Sequence, residues 1–509
     1  MAKPERVQRA FRVIWLAPLL AFIALGAWAF ASPVGAGPDD DFHLVSTWCA
    51  NGGGEHCAEG ENTGNRTITA SLEKLHCYAY DEEKSAACQE AVLEQLGDEQ
   101  VLTRRGNFAG SYPPLYYATM GLFSGDNIIA SAVVMRFVNV TLFVGLATAL
   151  FVLLPVFRRS NLVWAWLVTT IPLGLFLIAS NNPSGWAMVG VGSAWLALLG
   201  YFETDGRRRI ALGALFIVSV LLAAGSRSDG AFYAAGAIVT VLVLKGVWER
   251  RFLLLSLLPL AGLAISVFFF FTAGQTGSGT GGFSTANREE APEAEAALGA
   301  LGLLAFNILN LPDLWTGVFG NWGLGWLDTA MPALVLWASA AAFIGAGFVG
   351  LAAMSWRKAI ALIGTGVVLF ALPLYVLYQS NAAVGTYLQA RYLLPLIVVF
   401  ALVLLFVPPG RSIRFSRLQV WALGFGLVVA NFVALQVNIR RYVTGVDAPG
   451  VSLDAGAEWW WQGVPFGPNA VWIIGSLAFA GLVVILVREV AGPVEAATLV
   501  VEGGPTLAR

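Results

Sequence analysis

The stretch Ile128–Phe157, IIASAVVMRFVNVTLFVGLATALFVLLPVF, carries a single charge, Arg136, in thirty residues. An α-helix needs ~20 consecutive apolar residues to cross a ~30 Å hydrocarbon core, and this run exceeds that. Comparable runs recur along the chain at about 11–31, 161–180, 184–202, 209–226, 230–247, 252–273, 331–354, 358–378, 391–408, 418–437 and 469–488, giving twelve expected spans. The composition agrees. Of 509 residues 57% are hydrophobic and 12% charged, too few charges to clothe a soluble surface of this size. The sequence therefore predicts an all-α polytopic membrane protein and excludes a cytosolic enzyme, a disordered chain and a fibrous protein. Thirty basic against 32 acidic residues leave no basic excess for nucleic acid.

Charge placement orients the spans. With Met1 cytoplasmic, every inner loop is short and basic, as the positive-inside rule requires, including Arg158 and Arg159, Arg207 to Arg209, and Arg250 and Arg251. Ala29-Phe30-Ala31 imitates a signal cleavage site, but the apolar run Val13–Ala31 is longer than the ~7–15 residues of a signal core, so the segment reads as a retained anchor. This gives one integral membrane domain over residues 1–490 and a short cytoplasmic tail over 491–509. Its long outer loops cover about 32–127, 274–330 and 438–468. Both termini are expected on the cytoplasmic side of the cell membrane.

All four cysteines (Cys49, Cys57, Cys77, Cys88) and all three histidines (His43, His56, His76) fall in the first outer loop. An even cysteine number in an exported loop reads as two disulfides with three possible pairings. A zinc site from His56, Cys57, His76 and Cys77 is the alternative, although adjacent His-Cys pairs lack usual ligand spacing. Residues 273–296 read as a flexible acidic loop, and 297–311 as an apolar helix short enough to be interfacial or re-entrant. Trp459, Trp460 and Trp461 read as an interfacial anchor, with a sugar-stacking platform as the alternative.

The strongest chemical constellation is Pro38-Asp39-Asp40-Asp41-Phe42-His43, just beyond the first span. Three adjacent carboxylates stay solvated, bind a divalent cation, or leave one with a raised pKa suited to proton abstraction. Further outer-face candidates follow. Ser111-Tyr112-Pro113-Pro114-Leu115-Tyr116-Tyr117 presents tyrosines on a bent chain, and Asn181-Asn182-Pro183 forms a turn. Arg227 lies two residues before Asp229, its simplest partner. Trp322, Trp326 and Asp328 sit in a glycine-rich loop, and Gln389-Ala390-Arg391-Tyr392 opens the tenth span with the side chain best matched to a phosphate. Arg136 is expected to find an outer carboxylate, a backbone carbonyl or a lipid phosphate. There is no GxGxxG after a strand, P-loop, GxSxG or HExxH sequence, which argues against nucleotide chemistry.

Taken in order, Pro38-Asp39-Asp40 with His43, Tyr112 to Tyr117, Asn182 to Gly185, Gly323 to Asp328 and Gln389 to Pro395 resemble the bacterial membrane protein family called domain of unknown function 2142. That family resembles the C-type membrane glycosyltransferases, which take sugars from polyprenyl-phosphate carriers. The resemblance implies a C-type fold of about 12 helices and a polyprenyl-phosphate-linked sugar as donor. The acceptor would be a cell-envelope glycan or lipid. Asp39, Asp40 and His43 would be catalytic, with Asp39 and Asp40 holding Mg²⁺ or Mn²⁺ if a metal is used. Tyr112, Tyr116, Asn182, Arg227, Trp322, Trp326, Asp328, Gln389, Arg391 and Tyr392 would bind substrate. The rival classes are a flippase of lipid-linked glycans and a non-catalytic envelope-assembly protein.

Overall fold

The computed structural model describes residues 13–274, 299–490 and 494–495, apart from 53, 61, 63, 387 and 414. The expected acidic loop at 273–296 and the tail at 491–509 therefore lie almost entirely outside the described residues. The fold is a helical bundle with a small disulfide-braced cap on one end.

From the start of the bundle, helix α1 is Ala17–Phe30, followed in the cap by α2, Asp40–Cys49, and α3, Leu115–Met120. Then come α4 Ile128–Leu153, α5 Val156–Thr169, α6 Leu173–Ile178, α7 Pro183–Glu203, α8 Gly206–Ala224, α9 Ser228–Lys245 and α10 Leu257–Thr272. The second half holds α11 Gly299–Thr316, α12 Ala333–Leu351, α13 Trp356–Gln379, α14 Ala390–Leu404, α15 Arg417–Val443 and α16 Pro468–Val490. Side chains stop several helix starts from leaving orphan N–H groups: Asn127 caps α4, Asn182 caps α7, and Ser416 forms a reciprocal capping box with Gln419 at α15.

Among the described residues, nine helices are long and apolar enough to cross a membrane, fewer than the twelve spans expected. Each expected span does overlap a helix. The shortfall has local causes. Helices α1 and α14 are apolar but short, and α8 opens on Arg207, Arg208 and Arg209. The expected span 161–180 is broken, because Pro172 has no N–H to continue the ladder and the chain restarts as α6.

The segment read as a short helix at 297–311 is longer than expected. With the 3₁₀ turn Gly317–Phe319 it reaches the length of a span. It packs along α13: Asn307 donates to Ala382 O and accepts from Val384 N, Trp315 donates to Leu369 O in mid-helix, and Gly317 lies against Ala390.

Helix α7 is the buried centre, with 89% of its apolar window covered. Gly190 lets α8 approach it closely, since a Cβ there would meet Ser219 O at 2.7 Å. The cap carries an antiparallel sheet, β1 Cys57–Glu59, β2 Arg66–Thr69 and β3 Gln100–Thr103, in that order. Disulfides join Cys49 to Cys57 and Cys77 to Cys88, which selects one of the three pairings. With all four thiols oxidised, the zinc alternative falls away.

Arg441, at the end of α15, ties the cap to the bundle. It donates to Lys84 O and Tyr78 O and forms a 2.8 Å ion pair with Asp328. Trp461 donates to Phe30 O and packs edge-on against that ring, so the tryptophan triplet anchors the end of α1.

Candidate functional site

Helix α1 ends at Phe30 with carbonyls that have no partner inside the helix. Arg136 of α4 supplies it: its guanidinium donates to Ala29 O at 2.9 Å, Ser32 O at 2.5 Å and Pro33 O at 2.6 Å. Of the three partners open to it in the sequence, backbone carbonyls are the ones it takes, and a cation at a helix C-terminus is also favoured by the helix dipole. Asn438 donates to Ala31 O and Asn182 to Pro38 O, so the segment between α1 and α2 is pinned along its length. At its end Asp39 sits in the left-handed region, φ 61° and ψ 23°, which a residue with a Cβ adopts when its surroundings enforce it.

That geometry sends the three carboxylates to different fates. Asp40 is fully buried; Gly37 N donates to its Oδ2 at 2.8 Å, and a Cβ on Gly37 would collide with the carboxylate. Its Oδ1 has no partner among the described residues. Burial pushes the Asp40 carboxyl up to about 6, opposed by the charge of Arg136 and the Gly37 hydrogen bond. Asp41 is gripped by Arg105, with Nε at 2.6 Å and Nη2 at 3.1 Å. Asp39, with a side chain 34% exposed, lies between two guanidinium groups, Arg391 Nη2 at 2.5 Å and Arg105 Nη2 at 3.3 Å. Partial burial works to raise its carboxyl, but the charges of Arg391 and Arg105 outweigh it and bring it down to about 2.

Around this pair the structure gathers aromatic and basic groups. His43 is buried, shares a 2.9 Å hydrogen bond with Tyr117 through Nδ1, and has its ring 5.6 Å from that of Tyr112. Burial holds its imidazole well below the usual range, so it is neutral near pH 7. Arg391 also donates to Pro38 O and to the Tyr392 hydroxyl. Arg227 forms the expected pair with Asp229, bidentate at 2.7 and 2.9 Å, and its guanidinium lies over the rings of Tyr392 and Tyr112 at 4.8 and 5.4 Å. Beside Arg391 a small cavity is lined by Pro38, Trp322, Gly323 and Gln389, whose buried Oε1 has no partner among the described residues.

Of the residues singled out from sequence, Asp39, His43, Tyr112, Arg227, Arg391 and Tyr392 thus converge, and Trp322 and Gln389 border them. Others hold the frame. Asn182 fixes the Pro38 carbonyl, and Tyr116 is buried edge-on against Trp186. Three expectations need correction. Asp40 is sealed from any substrate or metal. Trp326 is buried, donates to Gly35 O and stacks on His76. Asp328 is consumed by Arg441.

Nor do the residues fit a divalent cation held by Asp39 and Asp40. The second carboxylate is enclosed, the first already carries two guanidinium groups, and among the described residues no three His, Cys, Asp or Glu side chains are grouped to hold a metal. The sequence reading passed over Arg105, and it quoted Tyr117 within the tyrosine-rich string without giving it a role. Arg105 left no signal of its own, because a cation in so long a loop is ordinary until packing brings it beside Asp39 and Asp41.

The geometry can do two things chemically. Arg391 and Arg105 can hold an anion, and Asp39, once relieved of them, can take a proton. The family model described as predicted membrane protein (DUF2142) matches residues 22–400. No curated protein and no solved structure matches the chain.

Proposed function

The chain belongs to the predicted membrane protein family DUF2142, and from that premise we propose that it is a membrane glycosyltransferase moving a sugar from a polyprenyl-phosphate donor to an envelope glycan or lipid acceptor. The observation that carries this reading is the Asp39–Arg391 contact at the membrane-proximal edge of the cap. On this reading the fold is of the C type, the helices that fall short of a full span complete a set of about twelve, and the cap lies outside the cell membrane with both chain ends within.

The chemistry follows from charge exchange. The donor's phosphate replaces the Asp39 carboxylate on Arg391 and Arg105, because an arginine fork matches phosphate oxygens as well as carboxylate oxygens. Asp39 then loses the two cations that hold its pKa down, and its basicity rises where a base is needed. The acceptor hydroxyl gives its proton to Asp39 as its oxygen bonds to the anomeric carbon. The bond from that carbon to the phosphate oxygen breaks, and the growing negative charge on the leaving phosphate is taken up by Arg391. Arg227, its charge balanced by Asp229, holds the rings of Tyr392 and Tyr112 in place, while Trp322 and Gln389 offer a flat face and an acceptor atom to the sugar.

The test is reconstitution of the full chain in liposomes with a radiolabelled polyprenyl-phosphate sugar and envelope extract. Transfer that is lost in Asp39→Asn and in Arg391→Lys, with normal folding, supports the reading. Equal transfer by all three proteins overturns it, and movement of donor between leaflets without transfer replaces it with a flippase.

A further inference from the structure

Between α1, α4, α5 and α16 a half-open cleft of about 180 Å³ runs along the side of the bundle. Its walls are apolar, with Ala21, Leu25, Ala147, Val163 and Leu482 among them, and it runs from Ile14 to Trp28 along α1. Side chains lining such a cleft lack the packing partners that a protein interior would give them. Water gains no partners on such walls, whereas a hydrocarbon chain restores the missing dispersion contacts.

The mouth of the cleft carries a second observation. Arg159 lines it, donating to Phe151 O at 3.0 Å with its guanidinium 4.5 Å from the Phe151 ring. Arg208 reaches the same place, donating to Val152 O at 3.0 Å, and lies close enough to Arg159 for the two charges to repel. The carboxylate paired with Arg159, Glu489, stands at 3.7 Å, longer than a good charge-assisted hydrogen bond. Two cations facing one loosely held carboxylate leave a positive charge at the entrance of a hydrocarbon cleft.

We propose that this cleft holds one acyl chain of an anionic glycerophospholipid, with the lipid phosphate at Arg159 and Arg208. The bound lipid braces α1 against α4 and α16. Its headgroup lies at the end of the cleft away from Asp39, and the proposal is independent of the transferase reading.

The experiment uses the full-length protein in nanodiscs of phosphatidylcholine containing phosphatidylglycerol with a photoreactive diazirine near its tail end, and the same probe on phosphatidylcholine as comparison. Peptides from α1, α4 and α5 should carry the phosphatidylglycerol label. Ala147→Phe and Ala21→Phe, which fill the cleft from two different helices, should each lower it several-fold. Arg159→Gln combined with Arg208→Gln leaves the cleft open and should cut the preference for phosphatidylglycerol by about tenfold, from the electrostatic contribution of two cations near a lipid headgroup. Each variant is checked for monodisperse elution, and the arginine pair supplies the decision if a filling variant does not fold. Equal labelling by the two lipids, or labelling indifferent to the arginine replacements, overturns the proposal in favour of ordinary surrounding lipid.

Discussion

Arg391 Nη2 lies 2.5 Å from Asp39 Oδ2 although 352 residues separate them, and the same carboxylate meets Arg105 Nη2 at 3.3 Å through its other oxygen. One carboxylate thus occupies two forks that could serve a phosphate. Removing it should stop transfer without removing the phosphate site. We expect Asp39→Asn to lower transfer by about 100-fold or more, the range for loss of a positioned base, while donor binding is retained or strengthened. Transfer rates with a radiolabelled donor and a separate donor-binding titration check the two halves.

Arg105 tests the exchange from the other side. Arg105→Gln frees Asp41 and takes one cation from Asp39, so the Asp39 carboxyl should titrate at higher pH. The acid limb of the kcat/KM profile should move up in pH, and KM for the donor should rise. A variant that loses activity with an unmoved profile would mean that Arg105 merely holds the cap together.

The two carboxylates give stability opposite pH dependences. Asp40 is raised from 3.8 to about 6, so its contribution is fully present below about 3.8 and is lost as pH rises through about 6. Asp39 is lowered from 3.8 to about 2, so its contribution is present above about 3.8 and is lost as pH falls through about 2. Between pH 4 and 6.5 the Asp40 contribution therefore falls while that of His43, whose folded pKa is held below 6.5, rises, so the Asp40 effect is read from the difference between wild type and Asp40→Asn. Asp40→Asn keeps an acceptor for Gly37 N and removes the titration, so wild type should lose about 1–3 kcal/mol relative to this variant as pH rises over the window. Thermal melts in matched buffers read this directly.

Arg136→Met should be the most damaging single change in the bundle. It strands the Ala29, Ser32 and Pro33 carbonyls, and each unsatisfied buried group costs about 1–3 kcal/mol. The expected result is a sharp loss of folded protein in membranes, seen by fluorescence-detected size exclusion. Normal yield would show that the segment entering Asp39 has another anchor.

Reduction should loosen the cap and spare the bundle. Cys77 and Cys88 close a loop beside the Arg441–Asp328 pair, and breaking such a short loop costs about 2–4 kcal/mol. Cys77→Ser with Cys88→Ser should lower the melting temperature and expose the cap to protease, with helix content by circular dichroism unchanged.

Long apolar runs such as Ile128–Phe157 determined that this chain is a helical membrane protein, because a hydrocarbon solvent leaves a backbone few options beyond the helix. The clustering of all four cysteines in one loop likewise pointed to a disulfide-braced cap. Local sequence also named Asp39, His43 and Arg391 as reactive types in plausible places. It could not rank Asp39 above Asp40, since adjacent residues differ in burial through a left-handed turn at Asp39 and the close approach of Gly37. Nor could it separate Asp328 from the site, or bring Arg105 into it, because a charge is spent or available according to which distant partner packing delivers. Tertiary structure alone decided that Arg441 takes Asp328, that Arg136 takes three carbonyls, and that Asp39 is left between two arginines. Ion pairs act over a few ångströms, and distances of that order between segments hundreds of residues apart exist only once the helices have packed.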